Sequence, residues 1–193
     1  MFRFFAASLT VSSLLIFLGC SGKAVVEEEE TKQEVASSER SAELKPVDLG
    51  AAEPAHVVGQ VYLAGQPSEA DMPQLKSKGI KTIVNLRTEG EIPWDEKAAV
   101  EGAGMKFVNI PFKGEEQLTD EVFDEVRAVL KDKEQQPVLL HCGSSNRVGA
   151  VWMTHRVLDG GLGIEEALEE AKTAGLRSEG YQKKAEAYIE RNR

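Results

Sequence analysis

The sequence predicts an α/β fold, a central parallel or mixed sheet flanked by helices. Between Val57 and Arg193, short apolar runs alternate with segments whose apolar residues recur at helical spacing. The runs are four to seven residues long and end in Gly, Pro or polar clusters, as strands do. About 140 residues, 54–193, carry this pattern without an internal repeat, enough for one domain with its own core. One apolar run, Val138-Leu139-Leu140, ends at His141-Cys142 and is followed by a small polar loop and an Arg that opens a helix.

Each element has its own local reason. Val57–Leu63 reads as the first strand. Pro67-Ser68 opens a helix, with Ser68 as N-cap, Glu69 and Asp71 in its first turn and Gly79 past its end; Met72, Leu75 and Ile80 face the core. Lys81–Leu86 is a strand that buries Ile83 and Val84. Glu89–Val100 is a loop running into a helix, with Pro93 near its start. Lys106–Ile110 is a strand stopped by Pro111. Thr119 caps a helix whose Val122, Phe123, Val126, Val129 and Leu130 form one stripe. Val138–His141 is the strand before the loop, and Arg147–Leu158 is its helix, ended by Gly160-Gly161. Ile164–Ala174 and Ser178–Arg193 close the domain as two helices.

The first 53 residues differ in kind. Arg3, the largely apolar stretch Leu9–Leu18 and Gly19-Cys20-Ser21 form an export signal, too short for a confident membrane span. Small Gly19 before Cys20 resembles a bacterial lipobox, which implies cleavage there and a lipid on Cys20; simple cleavage or an uncleaved anchor are the alternatives. Residues 1–20 are therefore expected as the signal, 21–53 as a disordered acidic tether and 54–193 as the folded domain. Nine acidic against four basic residues between 23 and 53 carry more than half of the chain's net charge of −9. That leaves the domain mildly acidic and speaks against a nucleic-acid partner. The expected location is the bacterial cell envelope, lipid-anchored and facing the periplasm or the exterior. Nothing in the chain specifies an oligomeric state.

The loop carries the chemistry. A thiol after a strand, at the start of a helix, sits among backbone N–H groups and a positive helix end that bind a tetrahedral anion and favour the thiolate. Gly143 lets the backbone approach a ligand. Ser144 and Ser145 are small hydroxyl donors, and Asn146 suits a position of positive φ. Arg147 offers a planar fork of donors to two oxygens of one phosphoryl or sulfonyl group. A buried, inert structural cysteine is the alternative for Cys142 alone, but it leaves the His, the polar loop and the Arg unexplained. Arg87 either rims the pocket or pairs with Glu89 or Glu91. His141 is read as a structural donor to the loop. His56 and His155 show no metal spacing, Trp94 and Trp152 read as packing aromatics, and Gly102-Ala103-Gly104 precedes no helix, so no metal and no cofactor are expected.

His141-Cys142…Arg147 resembles the phosphate loop of cysteine-based phosphatases of the tyrosine and dual-specificity types. With Gly65-Gln66-Pro67-Ser68, Ile83-Val84-Asn85-Leu86-Arg87, Ile110-Pro111 and the loop through Ala150, the stretch from Val57 to Tyr188 resembles more closely the bacterial beta-lactamase-hydrolase-like phosphatase group. The resemblance implies a phosphatase-like α/β fold, Cys142 as nucleophile, Arg147 as clamp and an anionic substrate. Three features differ from the usual pattern. Four residues separate Cys142 from Arg147 instead of five, a length similar to the rhodanese loop. Val148 stands where a Ser or Thr usually assists the thiolate. No Asp lies in Ile110–Glu116, so Glu115 or Glu116 is the candidate general acid, against the reading that both are solvated loop carboxylates. Three functions follow: hydrolysis through a cysteinyl-phosphate, sulfur transfer through a Cys142 persulfide, and non-catalytic anion binding.

Overall fold

The computed structural model describes residues 42–193. Its strands are β1 (Lys45–Pro46), β2 (Ala55–Val58), β3 (Val61–Ala64), β4 (Thr82–Asn85), β5 (Lys106–Asn109) and β6 (Val138–His141). Its helices are α1 (Met72–Ser77), α2 (Glu96–Gly102), α3 (Asp120–Lys131), α4 (Asn146–Leu158), α5 (Ile164–Ala174) and α6 (Glu179–Asn192), with 3-10 turns at Glu69–Asp71 and Glu115–Gln117. The expected α/β class holds, as a mixed sheet in the order β1-β2-β3-β6-β4-β5. β1, β2 and β3 pair antiparallel, whereas β3, β6, β4 and β5 run parallel.

Alternation along the strands divides the core into two layers. Val138, Leu140 and Val84 face α3 to α6, while Leu139 and Ile83 face α1 and α2. Helix α4 is buried from Val148 through Val157 because α3, α5 and α6 pack around it. Trp152 belongs to that core, as expected of a packing aromatic, and its Nε1 donates to Glu170 at 2.7 Å. His155 is also buried, with Nδ1 3.1 Å from Asp159.

Two expectations need correction. The stretch read as one strand, Val57–Leu63, is a hairpin of β2 and β3, because Gly59 turns the chain at φ +54°. The tether expected to reach residue 53 overlaps the folded body. Lys45–Pro46 pairs with β2, and Leu49 and Ala52 are buried beside Met72 and Leu75. Asp71 fastens this segment, since its Oδ2 accepts from the Ala51 amide as well as from Ser68 N and Oγ. Two apolar residues, Leu49 and Ala52, suffice for packing once the neighbouring backbone is paired, which composition alone does not reveal. Residues 1–41, which include the stretch expected as an export signal, Cys20 and the acidic run, lie outside the described residues.

Register sets the site. Ala64 and Asn85 both lie opposite His141, and Asn85 lies opposite Asn109. The carboxyl ends of four parallel strands are therefore level, where ligands of such sheets bind. Gly65-Gln66, Leu86-Arg87, Ile110 and Cys142 leave the sheet side by side.

Candidate active site

The loop after β6 is held from both sides. Cys142, the free cysteine of the described residues, is 1% exposed at its floor. Ser144 bridges to Gly65, and the backbone approach there leaves no room for a side chain on residue 65: a Cβ would lie 2.0 Å from the Glu53 carbonyl oxygen. The left-handed residue is Ser145, at φ +61°, and not Asn146 as expected. Asn146 instead begins α4, and its Oδ1 accepts from the Arg177 and Ser178 amides at 2.8 and 3.1 Å. Arg177 also donates to the Ser144 carbonyl at 3.1 Å and to Ser144 Oγ. Sequence reasoning missed Arg177, which comes from the α5–α6 connection some thirty residues on. Ser145 Oγ is buried without a hydrogen-bond partner among the described residues.

Arg147 is tied through both of its terminal nitrogens. Nη1 donates to the Leu86 and Phe112 carbonyls at 3.0 and 2.8 Å, and Nη2 donates to Glu91 Oε2 at 3.0 Å. Three of five guanidinium donors are thereby engaged. Nε–H and one Nη2–H have no hydrogen-bond partner among the described residues, and guanidinium N–H groups of this kind grip the oxygens of a phosphoryl group. Glu91 holds a second arginine as well, its Oε2 lying 3.6 Å from Arg87 Nε. Burial pushes the Glu91 carboxyl up, but the Arg147 hydrogen bond, the Thr88 amide and the two guanidinium charges outweigh it and hold it below its usual value. Of the two readings of Arg87, the pair with Glu91 is present. Arg87 Nη1 donates to Gln66 Oε1 at 2.7 Å, and Nε would lie 4.0 Å from a Cβ on Gly143.

Behind the loop lies a second acid that sequence reasoning passed over. Glu96, at the start of α2, is 3% exposed. It accepts from Asn85 Nδ2 at 2.7 Å and from Gln66 Nε2 at 2.8 Å, and its Oε1 lies 3.2 Å from His141 Nε2. His141 thus faces this carboxylate rather than bonding to the loop. The signal available in the sequence was Gln66 and Asn85 at the ends of two apolar strands, polar groups that need a buried partner.

Glu115 and Glu116 lie elsewhere. They line an open cleft of about 550 Å³ with Lys113, Gln117, Tyr181 and, at the end of the loop after β6, Asn146. The Glu115 carboxyl packs against Gly180 in the first turn of α6, where an added Cβ would lie 1.6 Å from Oε1. Among the described residues no group of three or more His, Cys, Asp or Glu is placed to hold a metal ion. The arrangement suits attack by Cys142 on an anion gripped by Arg147 and the amides at the start of α4.

A family model described as "DSP-PTPase phosphatase fused to NAD+ Kinase" matches residues 36–189. The "Beta-lactamase hydrolase-like protein" of Agrobacterium fabrum is 32% identical over 122 residues, covering 61% of this chain and 28% of that protein. The "Dual specificity protein phosphatase TpbA" of Pseudomonas aeruginosa (strain UCBPP-PA14) is 26% identical over 130 residues, covering 67% of this chain and 57% of TpbA. The chain therefore spans less than two thirds of either relative. Among solved structures, a cysteine-to-serine variant of P. aeruginosa TpbA in complex with phosphotyrosine superposes with a TM-score of 0.61 at 23% identity, over 77% of this chain and 89% of that one. A DUF442 protein of Shewanella putrefaciens CN-32 superposes with a TM-score of 0.62 at 18% identity, over 74% and 95%. Both share the fold.

Proposed function

The chain belongs to the DSP-PTPase phosphatase family, and from that premise we propose that it hydrolyses phosphate monoesters through a cysteinyl-phosphate on Cys142. The observation that carries this reading is Arg147 at the start of the helix after Cys142, with Nη1 fixed by Leu86 and Phe112 and Nη2 by Glu91 while Nε–H has no hydrogen-bond partner among the described residues. A guanidinium held in this way grips a phosphoryl group without first reorganising.

In the first step Cys142 Sγ forms a bond to phosphorus and the ester P–O bond breaks, with Arg147 and the loop amides holding the non-bridging oxygens. The leaving oxygen takes a proton from an acid or from water. In the second step water attacks phosphorus, the S–P bond breaks, and inorganic phosphate leaves. Glu91 serves as the anchor of Arg147, because a carboxylate held ionised by two arginines is a poor proton donor. Glu115 or Glu116 is the proposed acid, since their cleft meets the anion loop at Asn146. Acid quench during turnover, followed by peptide mass spectrometry, tests the intermediate: a phosphoryl group on the Cys142 peptide is expected, and a substrate that turns over without one contradicts it.

The four-residue spacing between Cys142 and Arg147 favours a second reading, sulfur transfer through a Cys142 persulfide. Exposure to thiosulfate then adds one sulfur atom to the Cys142 peptide, and an unchanged mass removes this reading. We further propose that the chain is exported and lipid-anchored at Cys20 in the cell envelope. Support comes from the signal-like residues 1–20 and from Gly19 before Cys20. Labelling with a fatty acid, lost in Cys20→Ala, is the expected result; label retained in that variant rules the anchor out.

A further inference from the structure

We propose that Arg177 is a positioning residue for the loop after β6: it holds the Ser144–Ser145 peptide so that the Ser145 N–H faces a bound phosphoryl group. The proposal deepens the reading of this loop as the phosphate site and rests on it. Ser145 is the one non-glycine residue with positive φ among the described residues, at φ +61° and ψ 0°, and Asn146 after it is helical. A left-handed residue followed by a right-handed one turns three successive N–H groups to one side, and the concavity they form binds anions. Here those groups belong to Ser145, Asn146 and Arg147. The last two are also among the first donors of α4, which a helix leaves unpaired. The left-handed conformation is disfavoured for a residue with a Cβ, so contacts from outside the loop must maintain it.

Those contacts come from the connection between α5 and α6. Arg177 Nη1 donates to the Ser144 carbonyl at 3.1 Å, and Nη2 donates to Ser144 Oγ. Nη1 also donates to the Gly175 carbonyl at 3.2 Å, which fixes the guanidinium to its own connection. The Arg177 amide donates to Asn146 Oδ1 at 2.8 Å, beside the Ser178 amide at 3.1 Å. One residue thus holds the loop on both sides of Ser145, residue 144 through its side chain and residue 146 through its backbone. The C=O and N–H of a trans peptide point in opposite directions. With the Ser144 carbonyl turned to Arg177, the Ser145 N–H points away from it, so the guanidinium acts on the anion through that peptide and not by touching it. Without Arg177 the carbonyl loses its charged donor, and a rotated peptide would set an oxygen where the N–H stood.

The test uses the full chain as wild type and Arg177→Ala, with inorganic phosphate as the probe and backbone amide NMR as the readout. Arg177 is exposed, so its truncation leaves the core packed. In the wild type, phosphate is expected to shift the Ser145, Asn146 and Arg147 amides together. In Arg177→Ala the Ser145 amide is expected to lose its response while the Arg147 amide keeps its own. Phosphate affinity is expected to fall about ten-fold or more, and kcat/KM on an aryl phosphate to fall with it. A Ser145 amide that answers phosphate in Arg177→Ala as it does in the wild type overturns the proposal, and a fall in affinity beside it means that Arg177 touches the anion directly. A wild-type Ser145 amide that stays still while those of Asn146 and Arg147 move overturns it without any variant. A wild type that binds no phosphate overturns both this role and the phosphate site it rests on. If the wild type hydrolyses no ester while the three amides respond as expected, in the wild type and in the variant, the phosphatase reading fails and the role of Arg177 stands.

Discussion

Gly175, between α5 and α6, packs against the loop after β6, and Gly175→Ala is expected to displace that loop. A Cβ there would lie 2.8 Å from Ser145 Cβ, 3.2 Å from Ser145 C and 3.4 Å from the Ser144 carbonyl oxygen. Carbon atoms rest at about 3.5–4.0 Å, so the loop must retreat by about 1 Å. Residue 175 also sits at φ +125°, where a side chain adds roughly 1–2 kcal/mol of backbone strain. The retreat moves Ser145, the left-handed pivot between Cys142 and Arg147, away from its present position. A misplacement of about 1 Å among reacting groups costs on the order of 100-fold. Gly175→Ala is therefore expected to lower kcat/KM on an aryl phosphate by about two orders of magnitude while lowering the melting temperature by only a few degrees. A variant with the expected loss of stability but wild-type kcat/KM refutes the claim that packing of residue 175 sets the loop.

Three further outcomes follow from the geometry. Arg147→Lys leaves at least one of the Leu86 carbonyl, Phe112 carbonyl and Glu91 carboxylate without its donor, so stability falls by about 1–3 kcal/mol in denaturant and turnover falls by roughly 100-fold or more. Glu91→Gln replaces a charge-assisted bond to Arg147 with a neutral one, and kcat/KM is expected to drop roughly ten-fold without a new acid limb above pH 5, because Glu91 is held below its usual value. Asp159→Asn breaks a bidentate pair with Arg127 at 2.7 and 2.8 Å that His155 also joins, costing about 3–5 kcal/mol by denaturant melt. Burial pushes the Asp159 carboxyl up, yet the bonds and charges of Arg127 and His155 prevail and hold it well below the carboxylate range. The stability it contributes is present above its unfolded value near pH 4 and lost as the pH falls through its lower folded value, so the acid-induced loss of stability is smaller in Asp159→Asn than in wild type.

Much of the fold was legible because local and global signals agree. Ile83-Val84 and Leu139-Leu140 are short runs buried on both faces, and Phe123, Val126 and Leu130 form one helical stripe. Cys142 and Arg147 stood out because strand, small polar loop and helix start occur in that order. The residues that escaped notice act at long range. Arg177 looks like any surface arginine until α5 and α6 bring it onto Ser144. Glu96 looks like a solvated first-turn acid, yet three strand ends converge on it. Val57–Leu63 reads as one strand because a turn at Gly59 scarcely interrupts its apolar pattern, and Leu49 is hidden in an acidic context. Asn146 reads as the left-handed residue in place of Ser145, since nothing local shows that its side chain is needed to cap the Arg177 and Ser178 amides.

The central claim is that this loop, one residue shorter than the usual phosphatase ring, still transfers a phosphoryl group to its cysteine. The most direct measurement is phosphate release from an aryl phosphate by the full chain under reducing conditions, beside Cys142→Ser. Release by the wild type and its abolition in Cys142→Ser is the expected result. Equal release by both, or none from the folded and reduced wild type, contradicts it.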